Sequence, residues 1–69
     1  MSFNETKTVL NDLLWQFNGN REDNGICRIT EAMGHCFNVE FNNQNQMNIN
    51  PSEFNTKGEL AKFVLNAIY

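Results

Sequence analysis

The chain has little of what chemistry at a protein site usually requires. Its 69 residues include one histidine, one proline, one tryptophan, one tyrosine and two cysteines. A single imidazole cannot pair with another in a metal set or a proton relay. No serine stands beside a plausible base. Cations are also few: Lys7, Arg21, Arg28, Lys57 and Lys62 are scattered, against a formal net charge of −3. The basic footprint that nucleic-acid binding requires is missing, so direct contact with nucleic acid is not expected. No apolar run approaches the ~18 residues that span a bilayer, and no basic segment followed by an apolar run opens the chain. The expectation is a protein of the cytoplasm (the host cytoplasm, if a phage encodes it), with no membrane contact and with Cys27 and Cys36 as reduced thiols.

Length sets a second limit. A domain of this size buries only ~60% of the surface its unfolded chain exposes, and ligand pockets run to ~300 Å³ or more. One domain over residues 1–69, without a cofactor and without enzymatic activity, is the expectation.

Asparagine is what the chain has in excess, at 13 of 69 positions, densest in "NNQNQMNIN". Met47 and Ile49 interrupt that stretch at strand spacing, which separates it from a low-complexity tract. Asparagine codons are AT-rich, so base composition accounts for the excess, and short AT-rich genes are frequent in phages and mobile elements.

Residues 2–18 read as a helix. Ser2 and Glu5 have the S-x-x-E spacing of a capping box, and Gly19 is placed to end the helix. Phe3, Thr6, Val9, Leu10, Leu13, Leu14 and Phe17 fall on one arc of roughly 140°. A polar loop, "NGNREDNG", follows with Arg21, Glu22 and Asp23 at its tip. Strands are expected at 25–31, 35–42 and 46–50 from their alternation. Aligning Cys27 and Ile29 with Phe37, Val39 and Phe41 requires a loop Ala32-Met33-Gly34, with Gly34 in the left-handed last position. Facing Met47 and Ile49 toward Phe41 and Val39 requires a loop Asn43-Gln44-Asn45, with an asparagine taking the left-handed position. Pro51 ends the third strand because it has no N–H to donate. Thr56 and Glu59 open a second helix, 56–68, which buries Leu60, Phe63, Val64, Ala67 and Ile68 with Phe54 near its start and leaves Leu65 and Tyr69 toward the other side. The fold class is α+β in the order αβββα, a two-layer sandwich with both helices on one face of a three-stranded antiparallel meander.

The candidate chemistry is thin. His35 and Cys36 are adjacent on a strand and so point to opposite faces, which denies them a nucleophile–base hydrogen bond. His35 is expected to be an exposed turn residue near Glu31. Cys27, His35 and Cys36 match no zinc spacing and lack a fourth ligand, so no metal is expected. The same faces argue against a disulfide, with Cys27 in the core and Cys36 at the surface. Arg28 and Glu40 lie diagonally on the open sheet face, within reach of each other.

Trp15 stands apart. It points almost opposite the centre of the apolar arc, among Asn4, Thr8, Asn11 and Asp12. Tryptophan is among the residues most enriched at binding hot spots and is not needed by the fold on a solvent face; the competing explanations are that loop 18–25 folds back over it or that the helix is rotated from this phase. The candidate partner-binding residues are Thr8, Asn11, Asp12 and Trp15 on the helix, Glu22 and Asp23 on the loop, and Ile26, Arg28, Asn38 and Glu40 on the open sheet face. The partner expected is a larger host protein or complex, with this chain as an inhibitor or modulator in the manner of anti-CRISPR or anti-restriction proteins. The alternative is a homo-oligomeric accessory or structural protein that pairs with a second copy through the edge strand at residues 25–30.

Overall fold

A computed structural model describes residues 1–18 and 25–68. In order, the elements are helix α1 (Phe3–Gln16), strands β1 (Ile26–Ala32), β2 (Cys36–Phe41) and β3 (Gln46–Ile49), a one-turn 3₁₀ segment (Pro51–Glu53) and helix α2 (Lys57–Ile68). The strands form one antiparallel sheet in the order β1-β2-β3, with both helices packed on one of its faces.

Helix α1 starts as its local sequence dictates. The Glu5 N–H donates to Ser2 Oγ at 3.1 Å, and the Ser2 N–H donates to the Glu5 carboxylate at 3.4 Å, so both arms of the capping box are closed. Thr6, Val9, Leu10 and Leu13 are buried, with Phe3, Leu14 and Phe17 packed at the margins of the core. Thr6 tolerates full burial because its hydroxyl donates to Ser2 O at 2.8 Å. Phe3 stacks on Phe37 of β2, ring centroids 4.6 Å apart. The Met1 ammonium donates to Pro51 O at 3.2 Å and Phe54 O at 2.6 Å, tying the start of α1 to the connection into α2.

In the sheet the expected faces hold for Ile29, Phe37, Val39, Phe41, Met47 and Ile49, but both hairpin registers lie two residues from expectation. Ile29 stands opposite Val39, and Ile49 opposite Phe37. A two-residue slip keeps every side chain on its face, so the apolar pattern could not exclude it. The first loop is therefore Met33-Gly34-His35, with Met33 at φ 59° and Gly34 at φ 76°, the two consecutive positive values of a I′ turn. In the second loop the left-handed residue is Gln44, at φ 72°, not Asn45. Its N–H donates to Phe41 O at 3.0 Å, while the Phe41 N–H donates to Asn45 O at 2.9 Å.

A register break between Ile26 and Arg28 corrects two further expectations. Ile26 pairs with Phe41 and Arg28 with Glu40, so Cys27 is the extra residue of a β-bulge. Ile26 turns into the core at 1% exposure and leaves the open face, while Cys27 is exposed. Cys36, expected at the surface, is buried opposite Ala32 and outside the main apolar cluster. Both thiols are free.

Helix α2 is rotated from its expected phase. Leu60, Val64 and Ile68 are buried and Ala61 and Leu65 pack beside them, whereas Phe63 and Ala67 face outward. Helix α2 packs against α1, and its buried stripe lies toward the 61/65 side. Its cap is half of the expected box: the Glu59 N–H donates to Thr56 Oγ1 at 3.1 Å, but the Glu59 carboxylate accepts from Asn55 N rather than Thr56 N.

Candidate functional site

The candidate residues separate into two surfaces on opposite layers. On the outer side of α1, Thr8, Asn11, Asp12 and Trp15 are all exposed. Positions 4, 8, 11 and 15 follow the i, i+4, i+7, i+11 line of one helix face, so these side chains are neighbours. Trp15 is 82% exposed, so helix packing gives it no role in the core. The Thr8 hydroxyl is turned back onto Asn4 O at 3.1 Å, leaving the amide of Asn11 and the carboxylate of Asp12 as the polar groups flanking the indole.

The second surface is the sheet face away from the helices. Arg28 and Glu40 are directly opposite across β1 and β2, not diagonal. The guanidinium grips the carboxylate at both oxygens, Nε to Oε2 at 3.1 Å and Nη2 to Oε1 at 3.0 Å. That hydrogen bond, and then the carboxylate's charge, raise the pKa of Arg28 above its ordinary value. Next to this pair Asn38 Nδ2 donates to Gln46 Oε1 at 3.1 Å. These four side chains are therefore paired with one another, and a partner would have to break those bonds or bind around them.

Ile26 contributes to neither surface, being part of the core, and Glu22 and Asp23 lie outside the described residues. The edge of β1 is covered at its start, where the Ile26 N–H donates to Phe17 O at 2.7 Å and Asn18 forms a parallel bridge to Ile26. Glu31 does not meet His35; its carboxylate lies 3.7 Å from Lys7 Nζ of α1. The His35 ring instead sets Nδ1 2.9 Å from Met33 O within the hairpin loop.

Two exposed apolar residues escaped the sequence reading. Met33 is 82% exposed at the tip of the first hairpin, and Phe63 is 46% exposed on α2. Neither carried a signal, because Met33 served only to centre a turn and Phe63 fitted an apolar stripe with the wrong phase. Among the described residues no three His, Cys, Asp or Glu side chains gather where a metal ion could sit, and no helix is long and apolar enough to cross a membrane. Comparison with family models, with curated proteins and with solved structures finds no match for this chain.

Proposed function

We propose that the chain is a non-enzymatic protein-binding domain that docks through the outer face of α1, with Trp15 as its anchor. The observation that carries this reading is the 82% exposure of the only tryptophan, in a stripe of otherwise polar side chains. An indole supplies a large rigid apolar surface with one N–H donor and loses little conformational entropy when a partner covers it. Asn11 and Asp12 beside it can supply directional hydrogen bonds at the rim.

Small size, acidic charge and asparagine-rich composition support a phage or mobile-element origin. On that basis the partner is a larger host enzyme or defence complex, which the domain occludes or modulates as anti-CRISPR and anti-restriction proteins do. The test is affinity capture from the native host with the wild type and with Trp15→Ala. A specific host protein retained by the wild type and lost by a folded Trp15→Ala supports the reading; equal capture by both overturns it.

The remaining edge of β1 favours one alternative, a homo-oligomer. Beyond the covered start at Ile26, no strand of the described residues pairs with the outer side of β1. Light scattering decides it, because a monomer at every concentration eliminates strand pairing between copies.

A further inference from the structure

A cleft of about 300 Å³ opens to solvent between the 3₁₀ segment and α2, lined by Glu53, Phe54, Glu59, Lys62, Phe63 and Asn66. Phe54 is buried beneath it, and Phe63 meets Phe54 edge-to-face with centroids 5.3 Å apart. We propose that this cleft is a receptor for a single arginine side chain presented by a partner protein, with Phe63 beneath the guanidinium and Glu53 and Glu59 beside it.

Phe63 explains why the cleft needs an occupant with an apolar or flat component. It is 46% exposed although Leu60 and Val64 on either side are fully buried, so nearly half of an aromatic side chain is left for a partner to cover. The rim sets the sign of that partner. Among the described residues nothing donates to the Glu53 carboxylate, and Glu59 commits only Oε2, to Asn55 N at 3.2 Å. Two acids against Lys62 leave the rim one negative charge in excess. A phosphate would be repelled there, and a purely apolar segment would strip water from the carboxylates without replacing it. A guanidinium satisfies both demands, because its planar face stacks on an aromatic ring while its edge donates to carboxylates. Lysine fits less well, since its compact ammonium holds water tightly and cannot stack. The Met1 ammonium bound to Phe54 O and Pro51 O holds the floor and the 3₁₀ wall together, so the cleft is supported by the fold. This surface involves none of the residues around Trp15 and stands whether or not that face binds a partner.

The test is a titration of the whole chain with Nα-acetyl-arginine methylamide, followed by amide chemical shifts, alongside the lysine and citrulline counterparts. Binding in the millimolar range with shifts centred on residues 53–66 is expected for arginine, with weaker binding of lysine and none of citrulline. Glu53→Gln and Phe63→Leu should each weaken binding about two- to fivefold, and Lys62→Gln should strengthen it by a similar factor. The two charge variants must move in opposite directions, which a role of either residue in folding alone would not produce. Equal binding of citrulline, equal binding of lysine, or charge variants that move together would each overturn the proposal. So would shifts that follow all exposed carboxylates, Asp12 included, rather than the cleft.

Discussion

Arg28 stands directly across from Glu40 on the open sheet face, its Nη2 2.9 Å from the nearer carboxylate oxygen. Both charges are on adjacent strands at a pairing that the bulge at Cys27 determines, so the ion pair reports on the register. Reversing either charge alone is expected to lower the thermal midpoint, and Arg28→Glu with Glu40→Arg together to recover most of the loss. The difference should shrink as salt rises toward 1 M, because the Arg28 side chain is exposed and the pair is screened. Thermal melts of the four proteins at two ionic strengths check it.

Met33 holds a positive φ of 59° with a side chain left largely in solvent, so it bears a backbone cost with little packing in return. Met33→Asn, which tolerates that conformation, should stabilise the domain by about 0.5 kcal/mol, or about 2–4 °C in the midpoint. An unchanged midpoint would mean that the turn does not hold this conformation in solution.

The two thiols should differ sharply in reactivity. Cys27 at the bulge is exposed and should be labelled at once by an aromatic disulfide reagent, while Cys36 should react only as the sheet opens. Mass spectrometry of the partly labelled protein identifies which cysteine reacts first.

The Ser2 hydroxyl and backbone hydrogen bonds hold the Glu5 carboxyl below its ordinary value of 4.5. A depressed folded value means the stabilisation is present above pH 4.5 and is lost as pH falls through the folded value. Ser2→Ala should return the Glu5 titration toward 4.5, read by carboxyl carbon shifts, and should flatten the acid side of the stability profile.

Trp15→Ala should leave the unfolding free energy within about 0.5 kcal/mol of the wild type, as expected of a surface residue outside the core. A larger loss would mean that the indole supports the fold. Such a loss would remove the reason to read that face as a docking site.

Features decided by a few neighbouring residues were legible in the sequence. The S-x-x-E box at Ser2, the Thr56 cap, the stop at Pro51 and the outward position of Trp15 all depend on spacing within one or two turns. The hairpin registers were not, because alternation constrains parity and nothing more: Phe37 opposite Ile29 or opposite Glu31 leaves the same face apolar. Gly34 agreed with the expected loop, yet it lies inside the observed loop too, so it could not discriminate between them. Helix α2 was misphased because Phe63 and Leu65 are both strongly hydrophobic, and which of them is covered depends on tertiary packing that a one-dimensional pattern does not contain. The Phe63 cleft therefore lay outside what a one-dimensional pattern could reveal.

The bulge has a consequence for how the chain can change length. Strand β1 carries one residue more than its ladder uses, since Ile26 pairs with Phe41 and Arg28 with Glu40 while Cys27 is left over. Deleting Cys27 would preserve each of those partnerships and restore simple alternation from Ile26 to Ala32. Elsewhere in a strand a one-residue deletion inverts everything on one side of it. At this position the sheet has a spare link that could be removed or replaced without moving the core.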